Sequence, residues 1–504
     1  MTKRILSLAV AVCLALAVWM PGLAEESSRL GGLTLPLVDK PTTVSILATS
    51  NYTDFGNKLF FQELTRRTGI TFDVQVYTQD VFAQKVSTII ASGDLPDIMT
   101  AGLTLSEINT YGEQGAFVNV ADYLDELPNF RRIYYEDETN YNKFKSYTIG
   151  DGHAYVMPQY ALNRDVNHGF MYRQDIFDKL GLTPWNSSET FYENLKALKA
   201  AYPDSYPYVG TSGVQIFSRW QYYWNMAPGA AYPFYYDEET QLWKNSASDP
   251  KMKEMLDFMQ KLYAEGLIDP EILTDSLDAL SAKLTTDKGF VFNNWIGRMT
   301  IFNTQMAQVN PEYNLVYGRP IAENKQFPLE KFSSWGVSIA NKPNALTAMK
   351  LADYLYSDEG SELNTIGVEG VNFEWDENGN PVYPELEGKL VDIVALEENY
   401  GMWLQGLYLR SDHRSVYYSF TPNEQHAQDL INNEVGYFPE DPTFTLTESD
   451  QETFADLQLE LQKELEVFES NYLVNASYGQ KEWDEFVAKI DSQYTRPISA
   501  ILNR

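Results

Sequence analysis

The sequence predicts an α/β protein of two or three domains or lobes that closes in a helical region. Three observations carry this. A length of 504 residues exceeds one ordinary domain. Strand and helix periodicities alternate through residues 43–100 and again from residue 169. Apolar stripes at helical spacing then run through the C-terminal part.

Taken in order, the first residues read as a secretory signal. Lys3 and Arg4 precede an uncharged run from Ile5 to Met20, and Pro21-Gly22-Leu23-Ala24 supplies the small residues of a cleavage site. Cleavage after Ala24 is expected, with the protein exported to the cell surface or periplasm. Cys13, the single cysteine, lies inside the apolar run behind Val12, which makes a poor lipidation signal. The mature chain is then expected to have no thiol chemistry and no disulfide.

Thr43 to Leu47 is β-rich, and Leu59, Phe60 and Leu64 share one helical side. Ile70, Phe72, Val74 and Val76 alternate with a period of two, as a strand does, and Val81, Phe82, Val86, Ile89 and Ile90 return to helical spacing. The stretch IIASGDLPDIMT (89–100) closes that helix: Gly93 suits a left-handed cap, Pro96 blocks continuation, and Asp97-Ile98-Met99 starts a short strand. These are two βαβ units. Ligands of such sheets bind beyond the carboxyl ends of the strands, here the loops Ala48–Gly56 and Thr100–Thr104.

A second α/β region begins with GFMYRQDIFDKLGLTP, in which Gly181 caps a helix. Residues 251–270 end the same way at Gly266. Near Asn186 to Glu193, N-x-x-E and T-x-x-E spacings predict a helix N-cap. Strand and helix alternate over 336–365, and Asn378-Gly379 centres a hairpin between Trp375 and Tyr383. Two stripes follow, Phe454-Leu457-Leu461-Leu465-Phe468 and Trp483-Phe486-Val487-Ile490-Tyr494, and both read as core.

Composition excludes several functions. With 70 acidic against 38 basic residues the net charge is −32, which repels phosphate backbones and anionic lipid, so no nucleic acid is expected as a partner. Neither glycine-rich phosphate motif, nor a G-x-S-x-G elbow, nor a histidine metal pair occurs; His153, His168, His413 and His426 read as scattered surface or loop residues. No catalytic residue, cofactor or metal is assigned. The carboxylates leave room for the acid pair of a glycosidase, so a secreted glycoside hydrolase stands as the alternative reading.

The tryptophans point to carbohydrate. Trp220, Trp224, Trp295, Trp335 and Trp403 read as loop or strand-end residues with polar neighbours, in SRWQYYWN, NNWIGR, SSWG and GMWLQ. Apolar ring faces beside amides, hydroxyls and guanidinium suit the CH faces and hydroxyl rim of a sugar. Ordinary packing is the competing reading of each ring.

The stretches ASGDLPDI (91–98), DGHAYVMPQ (151–159), RQDIFDKLGLTP (173–184), LYAEGLIDPE (262–271), SSWGVSIANK (333–342), DYLYSDEG with GVEGVNF (353–373) and YTRPISAIL (494–502) follow one another in the order found in a known family. In them the chain resembles the family 1 extracellular solute-binding proteins of bacterial ABC importers, particularly the long, LplA-like carbohydrate-binding branch. The resemblance implies a two-lobed periplasmic-binding-protein-like (type II) fold with a hinge between lobes and a helical C-terminal region. Lobe 1 would comprise 39–163 and 331–395, and lobe 2 would comprise 164–330 and 396–504. Chain crossings are expected near Tyr160–Gly169, Phe327–Ser333 and Leu390–Tyr400. It implies an oligosaccharide ligand, the membrane permease subunits of an importer as partners, a monomer, and no enzymatic turnover; a peptide-binding carrier of the same fold is a further alternative. The binding residues expected from place are Asn51 and Asp54 on the loop after the first strand, the five tryptophans as stacking platforms, and Arg298 and Glu369 for orientation. The acidic chain suggests that the sugar is neutral. Where some relatives carry an acidic calcium loop this chain reads AYPDSYPYVG, so no metal is expected there.

Overall fold

The computed structural model describes residues 28–504 apart from 101, 150–151, 162–163, 165, 212, 227–230, 322–324, 327–330, 440, 443 and 445. The expected signal, with Cys13 and the cleavage site after Ala24, lies outside the described residues. The strands in chain order are β1 (Thr42–Thr49), β2 (Ile70–Tyr77), β3 (Ile98–Thr100), β4 (Met157–Tyr160), β5 (His168–Arg173), β6 (Phe234–Asp237), β7 (Leu242–Asn245), β8 (Val291–Trp295), β9 (Leu315–Tyr317), β10 (Phe332–Ile339), β11 (Glu374–Trp375) and β12 (Pro381–Val382).

Two compact α/β units divide the chain, Met1–Leu162 with Lys331–Tyr418 and Asn163–Glu330 with Ser419–Arg504. Residues 396–418, placed in lobe 2 by the sequence, fold with the first unit. Backbone pairing decides this: Tyr160 N–H donates to the Leu409 carbonyl at 2.7 Å. The Asn364 amide donates to the Leu407 carbonyl at 3.1 Å.

The first unit is built on a sheet of order β2-β1-β3-β10-β4. β1 runs parallel to both β2 and β3, and β10 is antiparallel to β3 and β4. The period-two pattern of 70–76 becomes the alternating burial of β2. The helix Gln79–Ser92 ends as its sequence requires, with Gly93 at φ 73° and its N–H on the Ile90 carbonyl. Asp97 then pins the restart: one carboxylate oxygen accepts from both the N–H and the hydroxyl of Ser45 on β1, each at 2.8 Å. With Ile46 opposite Ile98 and Leu47 opposite Met99, the two strands deliver their carboxyl ends to one edge.

The second unit holds the sheet β8-β5-β9, with β5 antiparallel to both neighbours, and the hairpin β6-β7. The helix Ser188–Ala201 is capped by Ser187 in a reciprocal box with Thr190, one residue on from the Asn186 of the N-x-x-E spacing. Both C-terminal stripes enter this unit's core. Phe468 and Phe486 stack at 3.9 Å with planes 5° apart, joining the helices Glu448–Val474 and Gln480–Ile490.

One carboxyl on that long helix is enclosed. Glu469 is 0% exposed. Burial first, and then the charge of Glu466, hold its carboxyl well above the ordinary glutamate value of 4.5, with Gln221 as a polar neighbour. The folded state therefore keeps a proton that the unfolded chain releases, so this group favours folding at pH below 4.5 and opposes it increasingly as pH rises. Glu469→Gln is expected to match its parent at low pH and to gain on it as pH rises, by up to about 1.4 kcal/mol per pH unit. Thermal unfolding across that range measures the gap, and a pH-independent offset would contradict it.

Candidate functional site

The carboxyl edge of the first unit carries a loop tied to a distant helix. The Ser50 hydroxyl donates to the Glu397 carboxylate at 2.6 Å and accepts the Tyr52 N–H at 2.9 Å. Lys58 Nζ donates to the carbonyls of Glu397 (3.2 Å) and Glu398 (2.6 Å), at the C-terminal end of the helix Ile393–Tyr400 where a cation is favoured. Its ammonium also lies 5.3 Å from the Tyr52 ring centre. Burial pushes the Glu397 carboxyl up to about 7, against the opposing effects of the Ser50 hydrogen bond and Lys58. Asn51 and Asp54 are exposed on this loop. Asp54 takes a left-handed turn at φ 63° and accepts the Asn57 amide at 2.6 Å, so its carboxylate already shapes the turn. Trp335 is 42% exposed at an irregularity of β10 opposite β4, which bulges the ring out of regular pairing.

The second unit concentrates polar groups where β8 ends beside the start of β5. Trp295 pairs with His168 across the two strands. The Trp295 ring is half-buried and approaches the backbone of Gly297 so closely that a Cβ there would fall 2.4 Å from it. A side chain at that turn would have to displace the ring. Arg298, at the start of the helix Arg298–Met306, lies with its guanidinium 5.8 Å from the Trp295 ring centre. The Asn293 amide donates to the Tyr223 hydroxyl at 3.0 Å, and the Asn294 amide to the Thr211 hydroxyl at 3.3 Å.

His168 is not a scattered surface residue. Its carbonyl accepts from Tyr317 (3.1 Å) and from the Gln326 amide (2.9 Å). Burial, with Arg219, Arg298 and Arg164 acting on it in that order, lowers its imidazole to about 3, so it is neutral at physiological pH. No periodicity or motif along the chain marks His168, Arg219 or the Asn293-Asn294 pair as belonging to one place. The quoted NNWIGR carried the one local signal, two amides directly before the ring.

Four expected residues do something else. Trp220 is 0% exposed within the helix Gln215–Gln221, its indole N–H donates to the Tyr208 hydroxyl at 3.0 Å, and its ring stacks on Trp224 at 6.0 Å. Trp224 packs half-buried on the same core. Trp403 is 3% exposed, with its indole N–H on the Thr365 carbonyl at 3.0 Å and its ring against Tyr408 and Tyr417. Neither Trp220 nor Trp403 has a face left for ligand, because each ring is enclosed by aromatic neighbours in a core. Glu369 is exposed but lines a cavity of about 690 Å³ with Arg29, Arg66, Arg67, Glu359 and Glu362, away from the strand ends.

Among the described residues, Asp269, Glu271 and Asp275 lie close enough together to share an ion. The chain supplies its own cation. Lys283 Nζ sits 2.7, 3.1 and 2.5 Å from their carboxylates. In the loop reading AYPDSYPYVG, Lys199 Nζ donates to the Ser205 carbonyl at 2.6 Å.

No helix among the described residues is long and apolar enough to cross a membrane. No curated protein matches the sequence. Solved structures share the fold over nearly the whole chain. The alginate-binding protein AlgQ2, solved without calcium ion, superposes with a TM-score of 0.79 at 20% identity, covering 92% of this chain and 98% of that one. The ABC-transporter substrate-binding protein FusA of S. pneumoniae, in complex with kestose, gives 0.69 at 21% identity, covering 91% and 98%. The N-glycan transport solute-binding protein NgtS of Streptococcus pneumoniae, in complex with Man5GlcNAc, gives 0.59 at 18% identity, covering 92% and 97%. The family model of bacterial extracellular solute-binding proteins matches residues 49–362, well over half of the sequence, and the chain belongs to that family.

Proposed function

We propose that the protein captures an oligosaccharide outside the cytoplasm and delivers it, unchanged, to the permease of an ABC importer. The observation that carries this reading is the edge of the second unit, where the half-buried Trp295 ring has the Arg298 guanidinium 5.8 Å from its centre and follows Asn293 and Asn294 at the end of β8. An apolar face with amide and guanidinium donors around it meets the needs of a pyranose. The structural relatives support the same reading, since their names state alginate, kestose and an N-glycan as what they bind. Trp335, exposed on β10, is the second candidate platform.

A thermal-shift screen of plant, host and microbial oligosaccharides, with peptides as controls, tests it. A ligand at a hundredfold excess over its dissociation constant adds about 2.7 kcal/mol to stability, a rise of a few degrees in a chain this large. Trp295→Ala is expected to weaken that ligand by about 1–3 kcal/mol while the free protein still folds. Trp220→Ala, by contrast, should lower stability by about 3–5 kcal/mol through an emptied core. The glycan should be recovered intact after long incubation. A peptide that shifts the midpoint where no glycan does would overturn the carbohydrate reading, and reproducible glycan cleavage would overturn the carrier.

A further inference from the structure

We propose that Gly297 is a positioning residue of the binding edge: by carrying no side chain it lets the Trp295 indole lie against the backbone of the turn, which sets the tilt at which that ring receives a sugar. This rests on the oligosaccharide reading above and deepens it, by naming what holds the platform.

The backbone itself does not ask for glycine here. Gly297 has φ −61° and ψ −14°, right-handed helical values that any L residue adopts. The reason lies in the space around it. A Cβ at this position would fall 2.4, 2.6 and 2.7 Å from Cη2, Cζ2 and Cζ3 of Trp295, all on the benzo ring of the indole. Something must yield to contacts that short, and the backbone is pinned on both sides. The Ile296 N–H donates to the Asn167 carbonyl at 2.8 Å, and the Gly297 carbonyl accepts from the Ile301 N–H at 3.2 Å. Ile296 is 0% exposed. The Trp295 backbone is held as well, opposite His168 on β5 with its N–H on Asn294 Oδ1 at 2.8 Å. What remains free to move is the Trp295 side chain, by a change of rotamer.

Other glycines of this unit make room for enclosed side chains. A Cβ at Gly169 would meet Tyr317, one at Gly318 would meet Trp185, and one at Gly289 would meet Val209. Those three partners are 2%, 1% and 0% exposed, so packing accounts for their glycines. The ring against Gly297 differs, because it stands half-buried at a strand end. A ring whose tilt is fixed while part of its surface stays open to solvent is a preorganised stacking platform, and the ligand is spared the entropy of ordering it. Arg298, next in the chain, has its guanidinium 5.8 Å from the ring centre, so a new tilt also parts the ring from that polar neighbour.

The test uses the full chain carrying Gly297→Ala or Gly297→Ser, the second keeping a hydroxyl that suits a helix start. Calorimetric titration with cello-, malto-, xylo- and fructo-oligosaccharides, uronic-acid oligosaccharides and released N-glycans measures affinity, and the melting midpoint measures folding. Fluorine NMR of protein labelled with fluorinated tryptophan reports on the ring, its resonance being assigned from Trp295→Phe. Each glycine variant is expected to keep its midpoint within a few degrees and to shift the Trp295 resonance while the other tryptophan signals hold. Each should bind the glycan that the parent binds about tenfold to a hundredfold more weakly. In the Trp295→Phe chain, which lacks the benzo ring, Gly297→Ala should cost little further affinity, so the two losses will not add.

Parental affinity despite a displaced ring would show that tilt does not govern binding, and an unmoved Trp295 resonance would show that the glycine does not hold the ring. Either result overturns the inference and leaves the carrier reading standing. Additive losses in the double variant do the same, as does a large fall in the midpoint of both glycine variants, which would make Gly297 a folding residue. If the parent binds none of these glycans, the oligosaccharide reading fails and the inference with it.

Discussion

Lys283→Met is expected to destabilise the protein by about 3–5 kcal/mol at neutral pH. The ammonium is the shared partner of Asp269 and Asp275, whose side chains are only 1% and 5% exposed, and it reaches the exposed Glu271 at 3.1 Å. Without it, two enclosed carboxylates face each other with no cation, and each can neither hydrate nor pair. Burial already raises the Asp275 carboxyl even with Lys283 present. The loss should therefore be greatest where both carboxyls are ionised and should shrink as acid protonates them. Lys283→Arg, which keeps the charge, should lose much less. Denaturant unfolding at neutral and acidic pH reads both effects, and a Met variant within about 0.5 kcal/mol of its parent would show that the trio carries no structural charge.

Asp353→Ala should cost about 3 kcal/mol at neutral pH, by a different route. Asp353 is 0% exposed on the helix Ala345–Tyr356. Its carboxylate accepts from the Asn129 N–H at 3.2 Å, the Asn129 amide at 3.0 Å and the Phe130 N–H at 2.7 Å. Alanine leaves these buried donors without an acceptor at the start of the short helix Pro128–Arg131. Burial raises the carboxyl from 3.8 to about 6, so the folded protein binds an extra proton between those values. Linkage then makes the parent's lead over the variant widest below 3.8, narrowing as pH rises to about 6 and constant above it. A lead that widened with pH would mean that the ionised carboxylate is the stabilising form.

The first βαβ units were legible because their signals are local. Gly93, Pro96 and the alternation of Ile70 to Val76 act within a few residues, and the structure realises each in place. The N-cap at Ser187 was displaced by one position, since Asn186 and Ser187 both offer a capping oxygen and only the turn geometry chooses. The tryptophans separated on grounds that no flanking residue reveals. Trp220 and Trp295 both sit among polar neighbours in the sequence, yet one is 0% exposed beneath Tyr208 and the other stands half-buried at a strand end.

By itself the sequence determined the α/β class, the order of strands and helices in the first unit, the caps that end its helices, the core stripes of the tail, and the family. Each of these depends on periodicity, composition or motifs read along the chain. Tertiary structure alone decided which carboxylates share Lys283, which rings Trp220 and Trp403 join, and which arginines converge on His168. These outcomes depend on partners far away in the chain, such as Trp403 on Thr365 and Trp295 opposite His168. Burial and charge act through space, so a residue's environment is set by whatever the fold brings beside it.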